Sequence, residues 1–157
     1  MDRMDKKVIL VVPPFSEEAA MSVEQQYRQD TRELRLYPPL GLAYLAAELL
    51  SRGIACEIID SAALALNSEE AANLIFSKNP SVVGITVTSF TLQATNSLVR
   101  KLKEIKPTLP IVVGGPHITH WPDSVFDLDA DYGIRGDGEN SFFELVECLF
   151  KGNPSFS

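Results

Sequence analysis

The chain has 157 residues, 45% hydrophobic and 22% charged, which suits one domain with a core of useful size. Its net charge of −7 argues against a nucleic-acid partner, which asks for a basic face. No apolar run is long enough to cross a bilayer, so no membrane partner is expected, and two cysteines, Cys56 and Cys148, make neither a disulfide framework nor a cysteine-only metal site.

The polar start, Met1-Asp2-Arg3-Met4-Asp5-Lys6-Lys7, leads straight into a strand rather than into a signal-peptide core. The expected compartment is the cytoplasm. Val8-Ile9-Leu10-Val11-Val12 is an unbroken apolar run closed by Pro13-Pro14, the pattern of a strand buried on both faces. A polar stretch from Phe15 to about Tyr37 has room for a short helix but shows no strong apolar stripe. Pro38-Pro39 then opens a helix with Leu40, Leu42, Ala43, Leu45, Ala46, Leu49 and Leu50 on a broad apolar face, and Gly53 ends it. Strand Cys56-Glu57-Ile58-Ile59 follows, then a helix from about Ser68 to Lys78, with Ser68 as its expected cap. Strand Val82–Val87 and a helix from Leu92 to Ile105 come next. Strand Ile111-Val112-Val113 runs into Gly114-Gly115-Pro116. A loop with a short element leads to a fifth strand, Tyr132-Gly133-Ile134. Gly136-Asp137-Gly138-Glu139-Asn140 then turns into a last helix from Ser141 to Phe150. Residues 1–150 read as one domain and residues 151–157 as the start of a linker.

Strands alternating with helices predict a doubly wound, flavodoxin-like (Rossmann-like) α/β fold with a five-stranded parallel sheet in the order 2-1-3-4-5. Val8–Val12 should lie inside the sheet and Cys56–Ile59 toward one edge, since only the former is apolar throughout. Ligands of such folds bind outside the carboxyl ends of the strands, beside the switch between the first and third. The loops there begin at Pro13-Pro14, Thr88-Ser89-Phe90-Thr91, Gly114-Gly115-Pro116-His117 and Gly136-Asp137-Gly138-Glu139. Common tenants of the fold fit poorly. A phosphoacceptor receiver needs an acidic cluster where this chain has Pro13-Pro14 and Thr88-Ser89. A flavodoxin needs a Ser/Thr-rich phosphate loop after the first strand, and a dinucleotide fold needs its glycines there. Here the glycines follow strands four and five, and no Walker loop is present.

Four segments occur in order: Tyr37-Pro38-Pro39-Leu40-Gly41-Leu42-Ala43-Tyr44-Leu45-Ala46, Val83-Gly84-Ile85-Thr86-Val87-Thr88-Ser89, Val112-Val113-Gly114-Gly115-Pro116-His117 and Gly133-Ile134-Arg135-Gly136-Asp137-Gly138-Glu139. Together they resemble the N-terminal cobalamin-binding domain of cobalamin-dependent radical S-adenosylmethionine enzymes, in particular the anaerobic magnesium-protoporphyrin IX monomethyl ester oxidative cyclase group. The resemblance runs from Lys7 to Phe150. It implies a corrinoid ligand whose nucleotide tail threads between sheet and helices, with Ser89 and Thr91 as the hydroxyls after the third strand and Gly114 and Gly115 as the glycine pair after the fourth. Pro14, Phe90, Pro116, His117, Gly136, Gly138 and Glu139 complete the expected contact set, with no catalytic and no metal-ligating residue. On this reading Gly115→Leu removes binding and spares the fold, whereas Gly114→Leu also strains the turn.

Two departures shape the expectation. Methionine synthase and the mutases carry Asp-x-His-x-x-Gly after the first strand, its histidine ligating cobalt; no histidine lies between Val12 and Tyr37 here. The Cys-x-x-x-Cys-x-x-Cys motif that holds a 4Fe-4S cluster for S-adenosylmethionine is also absent, so cluster and S-adenosylmethionine are expected in a C-terminal radical domain that this chain lacks. The chain alone is then a cobalamin-presenting module of a methyltransferase or oxidative cyclase; the alternative is a stand-alone small-molecule sensor of the same fold without catalysis. Plainer readings stand beside each residue. His117 and His120 fit ordinary loop histidines, Ser89 and Thr91 a helix cap, the glycine pair a tight turn, and Gly136–Glu139 a bare helix start.

Overall fold

The three most apolar runs become the inner strands. In the computed structural model, which describes residues 6–15 and 38–152, β1 (Lys7–Val12) lies between β2 (Ala55–Asp60) and β3 (Val82–Thr86). β4 (Ile111–Gly114) and β5 (Tyr132–Gly133) follow, giving one parallel sheet in the order β2-β1-β3-β4-β5. The register sets Leu10 beside Ile58 on one flank and Gly84 on the other. β2 takes the edge, and its mostly half-buried residues match its mixed composition. The expected α/β order and the inner place of Val8–Val12 both hold.

Alternation along β1 divides the core. Val8 and Leu10 face a layer with Leu42, Ala46 and Leu49 of α1 (Leu40–Ser51) and Phe142, Leu145 and Val146 of α6 (Glu139–Lys151). Ile9 and Val11 face the other layer, with Ala71, Ala72 and Ile75 of α2 (Ser68–Ser77) and Leu98, Val99 and Leu102 of α3 (Leu92–Ile105). Each of the Val, Leu, Ile and Phe side chains among them contributes about 1.5–3 kcal/mol on full burial, so the sheet is held from both faces.

Local chemistry moved some boundaries. Asn67, not Ser68, caps α2: its side chain accepts from Glu70 N–H while the Glu70 carboxylate accepts from Asn67 N–H, a reciprocal capping box. Ser68 lies inside the helix and is buried. The last helix starts at Glu139, two residues before the expected Ser141. The stretch read as a loop with one short element holds two single-turn helices, α4 (Pro116–His120) and α5 (Ser124–Asp127). The last helix includes Lys151, the first residue of the expected linker, and Gly152 caps it; any helix within 16–37, and residues 153–157, lie outside the described residues.

Charges pin the amino ends of the strands. Glu57 on β2 accepts from Lys7 Nζ at 2.6 Å and pairs with Lys78 Nζ at 2.8 Å, and these two bonds hold its carboxyl below the usual 4.5. Asp131 pairs with Lys103 Nζ at 2.7 Å and accepts from Ile111 N–H at 2.7 Å, tying β4 to the approach of β5. Beside Glu57, burial pushes the Cys56 thiol up to about 11. With almost no thiolate at neutral pH, this cysteine acts as a small apolar group. Among the described residues no helix is long and apolar enough to cross a membrane, and no group of three His, Cys, Asp or Glu could hold a metal ion.

Candidate functional site

At the carboxyl ends of the strands, on the α1/α6 side, the sheet opens into a cleft of about 180 Å³. Its floor is Leu10, Gly84 and Val112, its walls are Gly41, Leu42 and Leu45 of α1 and Phe142 of α6, and its mouth is formed by Gly114, Gly115 and the segment Gly136–Glu139. That space is smaller than the roughly 300–1,000 Å³ of pockets that enclose a drug-sized ligand. It admits a slim part of a larger molecule whose remainder lies across the carboxyl edge.

The glycines there are present for different reasons. Gly115 has φ +97°, and a Cβ on it would meet Thr86 Oγ1 at 2.8 Å and Val87 backbone atoms at 3.1 Å. The turn itself demands glycine. Gly84 fills a gap against Leu10 and Phe142, where a Cβ would approach to 2.9 and 3.0 Å. Gly114 and Gly41 are unlike these. A Cβ at Gly114 would sit 3.6 Å from its nearest neighbour, and one at Gly41 would meet nothing within 4 Å; neither has a positive φ. In a helix Gly41 costs about 0.5–1 kcal/mol relative to alanine. Nothing in the fold requires either glycine, yet both line the cleft. The geometry therefore reverses the strain expected for the pair: Gly115 is the glycine that the turn requires, and Gly114 is the one where a Cβ makes only ordinary contact.

The loops around the mouth are knitted together. Val87 N–H donates to Gly114 O at 2.7 Å, and His117 N–H donates to Val87 O at 3.1 Å. Thr119 Oγ1 donates to Gly115 O and accepts from Gly136 N–H, both at 3.0 Å, so one hydroxyl joins the glycine loops after β4 and β5. The α6 amino terminus, at Gly138, lacks a side-chain cap and opens toward the cleft, as bare amides suited to an anion would. Asp137 and Glu139 line the same mouth, however, and their charge opposes an anion there. Hydrogen-bond donors such as primary amides suit these carboxylates better.

The expected contact residues fall into two groups. Gly114, Gly115, Gly136, Gly138 and Glu139 line the cleft; Pro14, Ser89, Phe90, Thr91, Pro116 and His117 do not. Pro14 is buried where β1 ends. Thr88 and Thr91 close a turn: Thr91 N–H donates to Thr88 O, and Thr88 N–H donates to Thr91 Oγ1, both at 3.1 Å. Thr91 stands at the N-cap position of α3, but its hydroxyl bonds to Thr88 and makes no side-chain bond to the α3 amides, so the expected helix cap is not formed. The turn displays Ser89 and Phe90, the latter 88% exposed. Pro116 occupies the first position of α4, where its missing N–H is no loss. His117 sits in that helix rather than in a loop, and it is buried. Its Nδ1 lies 3.0 Å from Ser89 Oγ and its Nε2 3.0 Å from Ser124 Oγ, with the Trp121 ring 5.2 Å away.

Gly41, Gly84, Thr119 and Ser124 were missed as site residues. Gly41 had a signal, a glycine in the first turn of an otherwise apolar helix. The others depend on contacts between distant segments.

The fold defines a doubly wound α/β domain with a cleft at the carboxyl edge of its parallel sheet. The chain belongs to the B12 binding domain family, whose pattern matches residues 34–146. It is 35% identical over 150 residues to an uncharacterized methyltransferase of Pyrococcus horikoshii, covering 93% of this chain and 30% of that protein. It is 28% identical over 119 residues to the anaerobic magnesium-protoporphyrin IX monomethyl ester cyclase of Rubrivivax gelatinosus, covering 74% of this chain and 21% of the cyclase. The radical S-adenosylmethionine methyltransferase TsrM of Kitasatospora setae, solved with cobalamin and a [4Fe-4S] cluster, superimposes with a TM-score of 0.75 at 20% identity, over 98% of this chain and 25% of that one. The chain therefore spans less than a third of the length of these relatives.

Proposed function

We propose that this domain holds a corrinoid for a cobalamin-dependent radical S-adenosylmethionine enzyme, a methyltransferase or oxidative cyclase. The nucleotide tail enters the cleft, and the macrocycle lies across the carboxyl edge, presented to a radical centre elsewhere in the parent protein. The carrying observation is the pair Gly41 and Gly114, two glycines that the fold does not need and that face one cleft. A well-packed interior tolerates little added volume, so a buried tail needs small residues beside it.

The rest of the edge fits the same ligand. Phe15, Phe90 and Trp121, after β1, β3 and β4, are 41%, 88% and 58% exposed and give a large apolar ring system something to lie against. The carboxylates of Asp137 and Glu139 suit the amide N–H groups at the edge of a corrin. When bound, the cobalt centre would supply methyl-carrier or one-electron chemistry; the protein would supply position and control of access. His117 has both ring nitrogens bonded to serine hydroxyls, and the segment between Val12 and Tyr37 contains no histidine. We infer that cobalt receives no histidine ligand from either.

A visible and paramagnetic-resonance titration with cobalamin tests this. The chain is expected to bind stoichiometrically, with the dimethylbenzimidazole off the metal and no protein nitrogen coupling in the Co(II) signal. A histidine nitrogen splitting overturns the ligand claim. Absence of any corrinoid binding by the chain and by its longer parent overturns the function.

A further inference from the structure

The second hydrogen-bonded system at the carboxyl edge lies outside the cleft. Ser89, His117 and Ser124 form a chain of two 3.0 Å bonds, from an exposed hydroxyl through a buried imidazole to a half-buried hydroxyl. Tilted 30° against the Trp121 indole and 8% exposed, the ring is fixed in place. The Thr88–Thr91 turn fixes the Ser89 backbone in the same way.

A neutral imidazole has one donor and one acceptor nitrogen, and a serine hydroxyl can play either part. Two arrangements are therefore open. If Ser89 donates to Nδ1, then Nε2–H donates to Ser124, and the spare hydroxyl proton lies on half-buried Ser124. If Ser124 donates to Nε2, then Nδ1–H donates to Ser89, and the spare proton lies on exposed Ser89. An unmatched polar hydrogen costs more where it is buried. The second arrangement is the favourable one, and it leaves the hydroxyl proton of exposed Ser89 free to be donated at the edge where a ligand would lie.

Resting on the reading above, we propose that His117 is a positioning residue for corrinoid binding: through Nδ1–H it commits Ser89 to donate its hydroxyl proton to an acceptor oxygen of the ligand. The acceptor is a corrin amide carbonyl, since Ser89 stands outside the cleft that takes the nucleotide tail. His117 touches no ligand atom itself. It sets the direction in which Ser89 reads the ligand, and Ser124 sets the tautomer of His117.

The test combines affinity with the imidazole spectrum. Nitrogen-15 resonances of the ligand-free chain should show His117 as the Nδ1–H tautomer; the Nε2–H tautomer overturns the proposal whether or not any corrinoid binds. In titrations with cobalamin, Ser89→Ala and His117→Phe should each weaken binding about three- to tenfold. The double variant should be no weaker than the weaker single, because both act on one hydrogen bond. His117→Asn, whose amide reaches the Nδ1 position, should recover most of the affinity even if it unfolds at a lower temperature. A His117→Phe chain that remains folded and binds with unchanged affinity overturns the proposal, as do additive losses. Cobinamide, which lacks the nucleotide, should show the same Ser89 effect; its disappearance would place the acceptor on the tail and overturn the proposal. A wild-type chain and parent that bind no corrinoid would instead remove the functional reading, with the tautomer measurement still standing on its own.

Discussion

The two sides of the carboxyl edge are built differently. On the α1/α6 side the strand ends open into a cleft walled by glycines that leave room. On the α2/α3 side the loops are closed by hydroxyl and imidazole bonds. The difference separates accommodation from display. One side leaves volume open, whereas the other holds a turn that presents Ser89 and Phe90 at a fixed place.

Substitution at Gly115 should have the largest effect. Gly115→Leu combines φ +97° with a 2.8 Å approach to Thr86 Oγ1, and should cost roughly 2–5 kcal/mol of stability, read as lost cooperative unfolding. Gly114→Leu should leave stability within about 1.5 kcal/mol while weakening corrinoid binding about 100-fold, the equivalent of some 3 kcal/mol of overpacking once the cleft is filled. If the two variants lose stability equally, the cleft is no more than a turn. Gly41→Ala sharpens the contrast because its two effects have opposite signs. The ligand-free chain should gain about 0.5–1 kcal/mol from the better helix former. Corrinoid affinity should fall about tenfold. A gain in both would show that the ligand does not pass α1.

The smallest expected effect lies at the opposite end of the sheet. Glu57 has its pKa held below 4.5 by Lys7 and Lys78, so it binds protons less readily folded than unfolded. Its contribution is present above the ordinary carboxylate value and is lost as pH falls through the folded value. Exposed ion pairs contribute about 0.2–1 kcal/mol. Glu57→Gln should therefore lower stability by about that amount at pH 7 and flatten the decline below pH 4.5, with binding unchanged.

Most of the fold was legible because buried parallel strands read as unbroken apolar runs. Val8–Val12, Val82–Val87 and Ile111–Val113 announced the inner strands, and Glu57 marked β2 as an edge. Legibility failed where structure is short or cooperative. Five residues of α4 show no period, so Pro116–His120 read as loop. The cap of α2 shifted by one residue because a capping box needs Glu70 to reach back, and Asn67 is the position from which it can. In the site, the glycine loops were visible as composition, but composition could not tell Gly115, required by its backbone, from Gly114, required by nothing local. His117 was visible as a histidine, whereas its partner Ser124 comes from a helix the sequence did not show.

The cleft draws Gly41 from α1, Gly84 from β3, Gly114 from β4 and Phe142 from α6, segments spread over about a hundred residues of chain. None of its walls is made by a single crossover. During synthesis the cleft cannot exist until α6 has left the ribosome and closed over the sheet, so a corrinoid held there, as proposed, would board a finished fold. Its binding energy then reaches the whole domain at once: a corrinoid at 100 times its dissociation constant would add about 2.7 kcal/mol against global unfolding. On the proposed function, the ligand-free domain would be the more easily opened by that amount.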